Sequence, residues 1–122
     1  MNLGDAFTMA VPPKYDVPHL FFVISDPSAH HGNFIVVNIT TDYIRAGKEC
    51  VLGPGEHDWI KRECYVSLRD AMLIDAGRAA DLQRLVGKLI IPQKPLTAEV
   101  LKKIVETARN SRSFEIALKR FL

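Results

Sequence analysis

The sequence predicts a mainly β fold: a small antiparallel barrel followed by two or three C-terminal helices. Residues 4–75 consist of short β-branched or aromatic segments that are separated by turn residues. The runs HLFFVIS and NFIVVNI are continuously apolar, which is typical of strands that are buried on both faces or lie at the centre of a curled sheet. After Asp75 the apolar residues recur with helical spacing instead.

Six strands are expected in the first part of the chain. The loop VPPKYDVP contains three prolines and cannot be a central strand. The segment DPSAHHG has the composition of a turn, and we expect its adjacent histidines, His30 and His31, to be exposed. The strands are predicted at about Asp5–Ala10, His19–Ser25, Asn33–Thr40, Glu49–Leu52, Tyr65–Arg69 and Ala71–Asp75, the last two separate or joined as one bent strand.

The C-terminal part is predicted to be mostly helical. A helix is expected over residues 78–86, and Pro92 then favours an extended KLIIP segment. Thr97 is a good N-cap for the run AEVLKKIVETARN, whose apolar residues form one helical stripe. A last short helix is expected in SFEIALKRFL, with three apolar residues on one face: Phe114, Leu118 and Phe121.

Length and composition indicate an ordinary globular domain. With 122 residues, we expect one domain over 1–122, with the barrel at about 4–76 and the helical part at about 77–122. The formal net charge of +2 is too small to argue for nucleic-acid binding by itself. No apolar run has the length of a membrane span and no signal peptide is visible, so we expect a cytoplasmic protein without a membrane partner.

The segment GPGEHDWIKRECY, residues 53–65, carries more functional side chains than a hairpin turn requires. His57 is flanked by Glu56 and Asp58. An imidazole beside a carboxylate is suited to general acid or base catalysis near neutral pH. The alternative is a solvated loop histidine.

Three further side chains of this segment have two interpretations each. Trp59, the only tryptophan, could stack on a nucleobase or cover the rim of the core. Lys61 and Arg62 could hold phosphates or be solvated.

The spacing of Cys50, His57 and Cys64 gives little support for a zinc site. Structural zinc usually has a closer cysteine pair and a fourth ligand. Both cysteines lie in apolar segments, where a small buried side chain is the common role. The sequence also lacks the glycine-rich phosphate loops of nucleotide-binding proteins, so we expect neither a metal nor a cofactor.

The order of motifs resembles the PemK/MazF family of toxins. A Gly-Asp pair, Gly4-Asp5, opens the first strand, and a proline-containing loop leads to HLFFVISD. FIVVNITT ends in a Thr-Thr pair, and YVSLRDAMLIDAGR ends a strand in Ile-Asp before a helix. The resemblance covers about residues 4–109 and rests on the order and spacing of these motifs.

The resemblance implies an SH3-like barrel with C-terminal helices, usually a homodimer. It also implies metal-independent endoribonuclease activity on single-stranded RNA, neutralised by a small antitoxin protein. Thr40 and Thr41 fall where the family has its substrate-contacting pair. The catalytic arginine before strand two falls on His19, and the positions of a further catalytic Arg and Asp hold Ser67 and Arg69.

These observations give one set of candidate site residues. RNA cleavage without a metal needs a base for the 2′-hydroxyl, an acid for the leaving oxygen and cations for the phosphorane charge. The predicted catalytic residues are His57, His19 and Thr40. The predicted substrate-binding residues are Thr41, Lys61, Arg69, Trp59 and Glu56.

Two other functions fit the same sequence. The first is a catalytically inactive SH3-like module that binds a protein or nucleic-acid partner, with Trp59, Tyr65 and Tyr43 as contact aromatics. The second is an oligomeric structural protein, in which the apolar segments KLIIP and FEIALKRFL pack against another copy.

Overall fold

The structure, a computed structural model, describes residues 1–10 and 17–122. Most of the expected proline-rich loop, residues 11–16, lies outside the described residues. The described chain is mainly antiparallel β-sheet with a few helices, as predicted. The strands are β1 (Ala6–Met9), β2 (His19–Val23), β3 (Phe34–Thr40), β4 (Val51–Leu52), β5 (Cys64–Val66), β6 (Met72–Ile74) and β7 (Ile90–Gln93).

Strand β3 is the centre of the sheet. The order is β4-β5-β3-β2-β1-β7, and β6 also pairs with β3. Val36 pairs with Val23 of β2 and with Met72 of β6, so β2 and β6 lie on opposite edges of β3. The predicted strands at 65–69 and 71–75 are shorter than expected and are separated by a 3-10 turn at Leu68–Asp70.

Both faces of the sheet are buried, because the alternating residues of β2 and β3 belong to two different cores. The first core contains Leu20, Phe22, Ile24, Ile35, Val37 and Ile39, together with residues of the C-terminal helices. The second contains Phe7, Phe21, Val23, Phe34, Val36, Ile74 and Ile90. The continuous apolar runs in the sequence therefore reflect burial on both faces.

A helix covers each face. α3 (Ala98–Asn110) buries Val100, Ile104 and Ala108 in the first core, and its first turn is capped by the Thr97 hydroxyl, as predicted. α2 (Ala76–Arg84) packs on the second core with partly buried residues that include Leu82. α2 begins two residues before the predicted helix, because Asp75 serves as its N-cap.

Two further short helices complete the fold. α1 (Tyr43–Ala46) was not expected, and it forms because the Asp42 carboxylate accepts hydrogen bonds from the N–H groups of Ile44 and Arg45. The predicted last helix is a 3-10 helix over Ile116–Phe121, and its apolar face is buried at Leu118 and Phe121.

The backbone pairing of the described strands does not close the sheet. β4 and β7 stand at its two ends, each with one paired neighbour. The KLIIP segment forms β7 as expected, and it leaves Leu89 and Ile91 exposed. Within residues 1–10 and 17–122, no helix combines the length and apolar character needed to cross a membrane.

Candidate functional site

His57 is buried and has a partner at each ring nitrogen. Its side chain is only 6% exposed, and the ring packs against Phe22 of the first core. Nε2 lies 2.5 Å from the carbonyl oxygen of Lys94, and Nδ1 accepts a hydrogen bond of 3.0 Å from the Trp59 N–H. Because Nδ1 accepts, the proton lies on Nε2 and is donated to Lys94. The solvated alternative for His57 is therefore wrong, and neither nitrogen is open to a ligand.

The same histidine joins the two ends of the sheet. His57 follows β4 and Lys94 follows β7, the two strands at the ends of the order β4-β5-β3-β2-β1-β7. Their contact brings together the segments that follow these two strands. A weaker, exposed ion pair of 3.7 Å between Lys94 and Asp58 lies beside it.

Glu56 also holds this loop in place. Its carboxylate accepts a hydrogen bond from the Gly53 N–H and forms a 3.2 Å ion pair with Lys103 of α3. Lys103 in turn donates to the carbonyl oxygen of Val51, at 2.6 Å. The predicted substrate-binding residue Glu56 thus ties the loop to α3.

The anchored loop presents a small open pocket, here called the Trp59 pocket. Its volume is about 260 Å³, and its lining is Ile39, Thr41, Trp59, Ile60, Lys61, Arg62 and Cys64. Ile39, Ile60 and Cys64 are buried and supply an apolar floor, whereas the Trp59 side chain is 40% exposed. Three of the predicted substrate-binding residues, Thr41, Trp59 and Lys61, therefore come together here.

Two cations stand at the rim of the Trp59 pocket. Lys61 and Arg62 are both exposed. In the part of the chain that the structure describes, neither forms an ion pair. Their charge is therefore available to an anionic ligand that enters the pocket.

The thiol in the pocket floor, Cys64, is held in its protonated form. Burial raises the pKa of Cys64 to about 11, and the same cause raises the pKa of Cys50. Both cysteines are free and buried, as expected for small apolar side chains. Because the thiolate is the nucleophile, Cys64 shapes the pocket and does not supply covalent chemistry.

A second polar cluster surrounds Asp70, in the 3-10 turn that follows β5. The Asp70 carboxylate accepts a 2.7 Å hydrogen bond from the Ser67 hydroxyl and pairs with the Arg45 guanidinium at 2.9 and 3.2 Å. Arg69 is exposed and donates to the carbonyl oxygen of Arg45. We call these four residues, Arg45, Ser67, Arg69 and Asp70, the Asp70 network.

The threonine pair connects the two neighbourhoods. Thr41, the residue after β3, lines the Trp59 pocket. Thr40 is the last residue of the strand, and the alternation of side chains places it on the second face. Thr40 pairs with Tyr65 of β5, and its hydroxyl accepts a hydrogen bond from the Asp42 N–H. The two threonines that match the family's Thr-Thr pair therefore lie on two different surfaces.

His19 lies on the face of Thr40, away from His57. It begins β2, is half-buried and pairs with Met9 of β1. The β2–β3 register ends at Phe21 opposite Asn38, and its continuation by two residues would bring His19 opposite Thr40. The two predicted acid–base histidines thus belong to opposite faces of the sheet.

The tyrosines proposed as contact aromatics have different surroundings. Tyr65 is 7% exposed and donates its hydroxyl to Glu63, whereas Tyr43 is half exposed. Their rings meet edge to face at 5.9 Å, and the ammonium of Lys48 lies 4.4 Å from the Tyr43 ring centre. Of this pair, only Tyr43 offers a large exposed surface.

Across the described ranges, no three His, Cys, Asp or Glu side chains are grouped closely enough to hold a metal ion. Neither a comparison with protein-family models nor one with curated proteins finds a match for this chain.

Proposed function

We propose that the protein binds single-stranded RNA at the Trp59 pocket. The observation that supports this proposal is a half-exposed indole beside two exposed cations, Lys61 and Arg62, above an apolar floor. An unpaired base can stack on the indole, and the phosphates on either side of that base can pair with Lys61 and Arg62. A duplex hides its bases inside the stack, so this arrangement favours a single strand.

We further infer that the protein is a PemK/MazF-like toxin whose sheet forms an SH3-like barrel. The His57–Lys94 hydrogen bond supports such curling, because it links the segments that follow the two end strands. Ala6 of β1 and Leu52 of β4 also share the first core, although three strands separate β1 and β4 in the sheet. A cytoplasmic location, a homodimer and a small antitoxin partner belong to the same proposal.

The proposal includes metal-independent cleavage of an RNA strand that passes from the Trp59 pocket, at Thr41, to the adjoining face of Thr40. His57 has no part in it, because both of its nitrogens are occupied inside the protein. His19 is the acid–base candidate on the face of Thr40, and Arg69 is the exposed cation of the Asp70 network. Thr40 would orient a phosphate oxygen, and Arg69 would stabilise the charge of the phosphorane.

A non-catalytic RNA-binding module is the second candidate. It is favoured by the burial of His57, which leaves His19 without the second histidine that the acid–base pair required. In that case the Trp59 pocket binds RNA and the Asp70 network only stabilises the 3-10 turn after β5.

One pair of assays separates these candidates. Binding of a fluorescent single-stranded oligoribonucleotide should weaken about tenfold to a hundredfold in Trp59→Ala, the range expected for one lost stacking interaction. Trp59→Phe should retain most of the affinity. Lys88→Ala, a change of an exposed cation elsewhere on the surface, is the control.

Cleavage is measured on the same oligoribonucleotide in the presence of EDTA. The endoribonuclease proposal expects cleavage that is lost in His19→Ala and retained in His31→Asn. If the oligoribonucleotide is bound but not cleaved, the non-catalytic RNA-binding module becomes the favoured function. Unchanged affinity in Trp59→Ala would refute the RNA site itself.

A further inference from the structure

A groove beside α3 is a mainly apolar cavity that shares no lining residue with the Trp59 pocket. It lies between α3, the 3-10 turn at Pro27–Ala29 and the C-terminal residues, and its volume is about 410 Å³. We call it the α3 groove. Its floor is apolar and includes Leu3, Ile24, Leu101, Val105 and Phe121.

The groove continues past Phe121 into a second cavity of about 300 Å³. Ala29, His30 and Phe121 line both cavities. His30, which the sequence predicted to be exposed, sets its ring edge to face against Phe121 at 5.1 Å. The two cavities therefore adjoin each other and make up one surface.

The rim of this surface is basic. Lys102 and Arg109 of α3 line the first cavity and Arg120 lines the second. Among the described residues Arg109 has no ion pair, and Lys102 has only an exposed one of 3.9 Å with Glu106. Arg120 is exposed, and its guanidinium lies 4.7 Å from the centre of the Phe121 ring.

The one acidic side chain in the lining is already engaged. Asp26 accepts two hydrogen bonds from Ser28, from its N–H at 2.9 Å and its hydroxyl at 2.7 Å. These bonds lower the pKa of the Asp26 carboxyl. The carboxylate thus stabilises its own turn, and the three cations dominate the rim.

We propose that the α3 groove binds an acidic amphipathic helix of a partner protein. Apolar residues at i, i+3/i+4 and i+7 of that helix would cover the groove floor, as in other helix-in-groove complexes. Its Asp and Glu residues would face Lys102, Arg109 and Arg120. This proposal is independent of RNA binding at the Trp59 pocket, since the two cavities share no lining residue.

The test uses synthetic peptides as probes of this chemistry. One fluorescent peptide of about 14 residues carries Leu on one helical face and Glu on the other. A second has the same composition in an order without an apolar face, and a third replaces every Glu with Lys. We expect binding of the first peptide only, with an affinity that falls as salt is raised.

Variants of the full chain locate the site. Lys102→Glu with Arg109→Glu should weaken binding of the first peptide about tenfold or more, a loss of about 1.4 kcal/mol. The matched control, Arg78→Glu with Lys88→Glu, reverses two exposed charges in and after α2, on the other face of the sheet. Val105→Ser tests the floor and should weaken binding without changing its salt dependence.

Three outcomes would overturn the proposal. The first is binding of the reordered or the Lys-containing peptide that is as tight as binding of the first peptide. The absence of any binding by the first peptide would have the same meaning. The second is a loss of oligoribonucleotide affinity in the Lys102 and Arg109 double variant, which would make the groove a nucleic-acid surface. The third is a change of sedimentation in that variant, which would assign the groove to a second copy of the chain. Thermal unfolding of each variant checks that it is folded.

Discussion

The Nε2–H of His57 donates a hydrogen bond to the carbonyl oxygen of Lys94, and this bond joins the chain after β4 to the chain after β7. The other ring nitrogen holds the backbone N–H of Trp59. One buried side chain therefore holds both the segment after β7 and the backbone of Trp59 in the Trp59 pocket. His57, which the sequence favoured as a catalytic residue, therefore has a structural role.

Replacement of His57 by Ala should destabilise the protein. The change leaves a buried carbonyl and a backbone N–H without their partners, at a cost of about 1–3 kcal/mol in the free energy of unfolding. RNA affinity should also fall, because Trp59 loses its positioning bond. Urea unfolding and RNA titration measure the two effects. The control is His31→Asn at an exposed position with φ of 56°, and equal stability of both variants would contradict the supporting role.

Stability should decline at alkaline pH as the buried thiols ionise. The folded state raises the pKa of Cys64 from 9.0 to about 11, so it binds this proton more tightly than the unfolded chain does. The contribution is complete below pH 9 and is lost as the pH rises towards 11. Urea midpoints measured from pH 7 to 11 should therefore decline less in Cys64→Ala than in the wild type. An identical decline in both would contradict the prediction.

The two isoleucines Ile104 and Ile44 form a matched pair. Ile104 is fully buried in the first core, whereas the Ile44 side chain is 82% exposed. Ile104→Ala should cost about 2–5 kcal/mol because it removes buried surface and leaves a cavity. Ile44→Ala should change stability by less than about 0.5 kcal/mol. Similar midpoints in urea unfolding would show that α3 is not packed on the sheet as described.

Substitutions of two glycines distinguish the cost of backbone strain from the cost of a steric clash. Gly32 and Gly55 both have positive φ, +87° and +97°. A Cβ atom on Gly32 would lie 3.0 Å from the Cβ of Ala76, whereas one on Gly55 would meet nothing within 4 Å. Gly55→Ala should cost about 1–2 kcal/mol from strain alone, and Gly32→Ala should cost more. The reverse order in thermal or urea unfolding would contradict the packing of α2 on this turn.

The salt dependence of the proposed RNA binding measures how many phosphates the protein neutralises. If Lys61 and Arg62 each neutralise one phosphate, Lys61→Gln with Arg62→Gln should reduce the slope of log affinity against log salt by about 1.4. The matched control is Lys102→Gln with Arg109→Gln, which should leave that slope unchanged. An unchanged slope in the first variant would place the phosphates elsewhere.

Local pattern was enough to predict most elements of the fold. The runs at β2 and β3, the Thr97 cap and the stripe of α3 each depend on neighbouring residues, so their structure is visible in the sequence. α1 was missed, although its signal, Asp42 two residues before Ile44, was present. Closure of the barrel was expected, but the pairing of the described strands ends at β4 and β7.

The geometry of the candidate site depends on contacts between residues that are far apart in the sequence. The sequence singled out the segment GPGEHDWIKRECY, and its residues Trp59 and Lys61 line one pocket with Thr41. The roles of His57 and Glu56 could not be read from their neighbours, because their partners, Lys94 and Lys103, lie 37 and 47 residues away.

By itself, the sequence determined the mainly β architecture, the C-terminal helices and the loop that forms the pocket, since periodicity and turn residues act over short distances. Only the tertiary structure decided which histidine is buried, because burial depends on which distant segments the curled sheet brings together. His57 lies at that meeting point and has both nitrogens satisfied inside the protein. His19 lies at the start of β2, outside that meeting point, and is only half-buried.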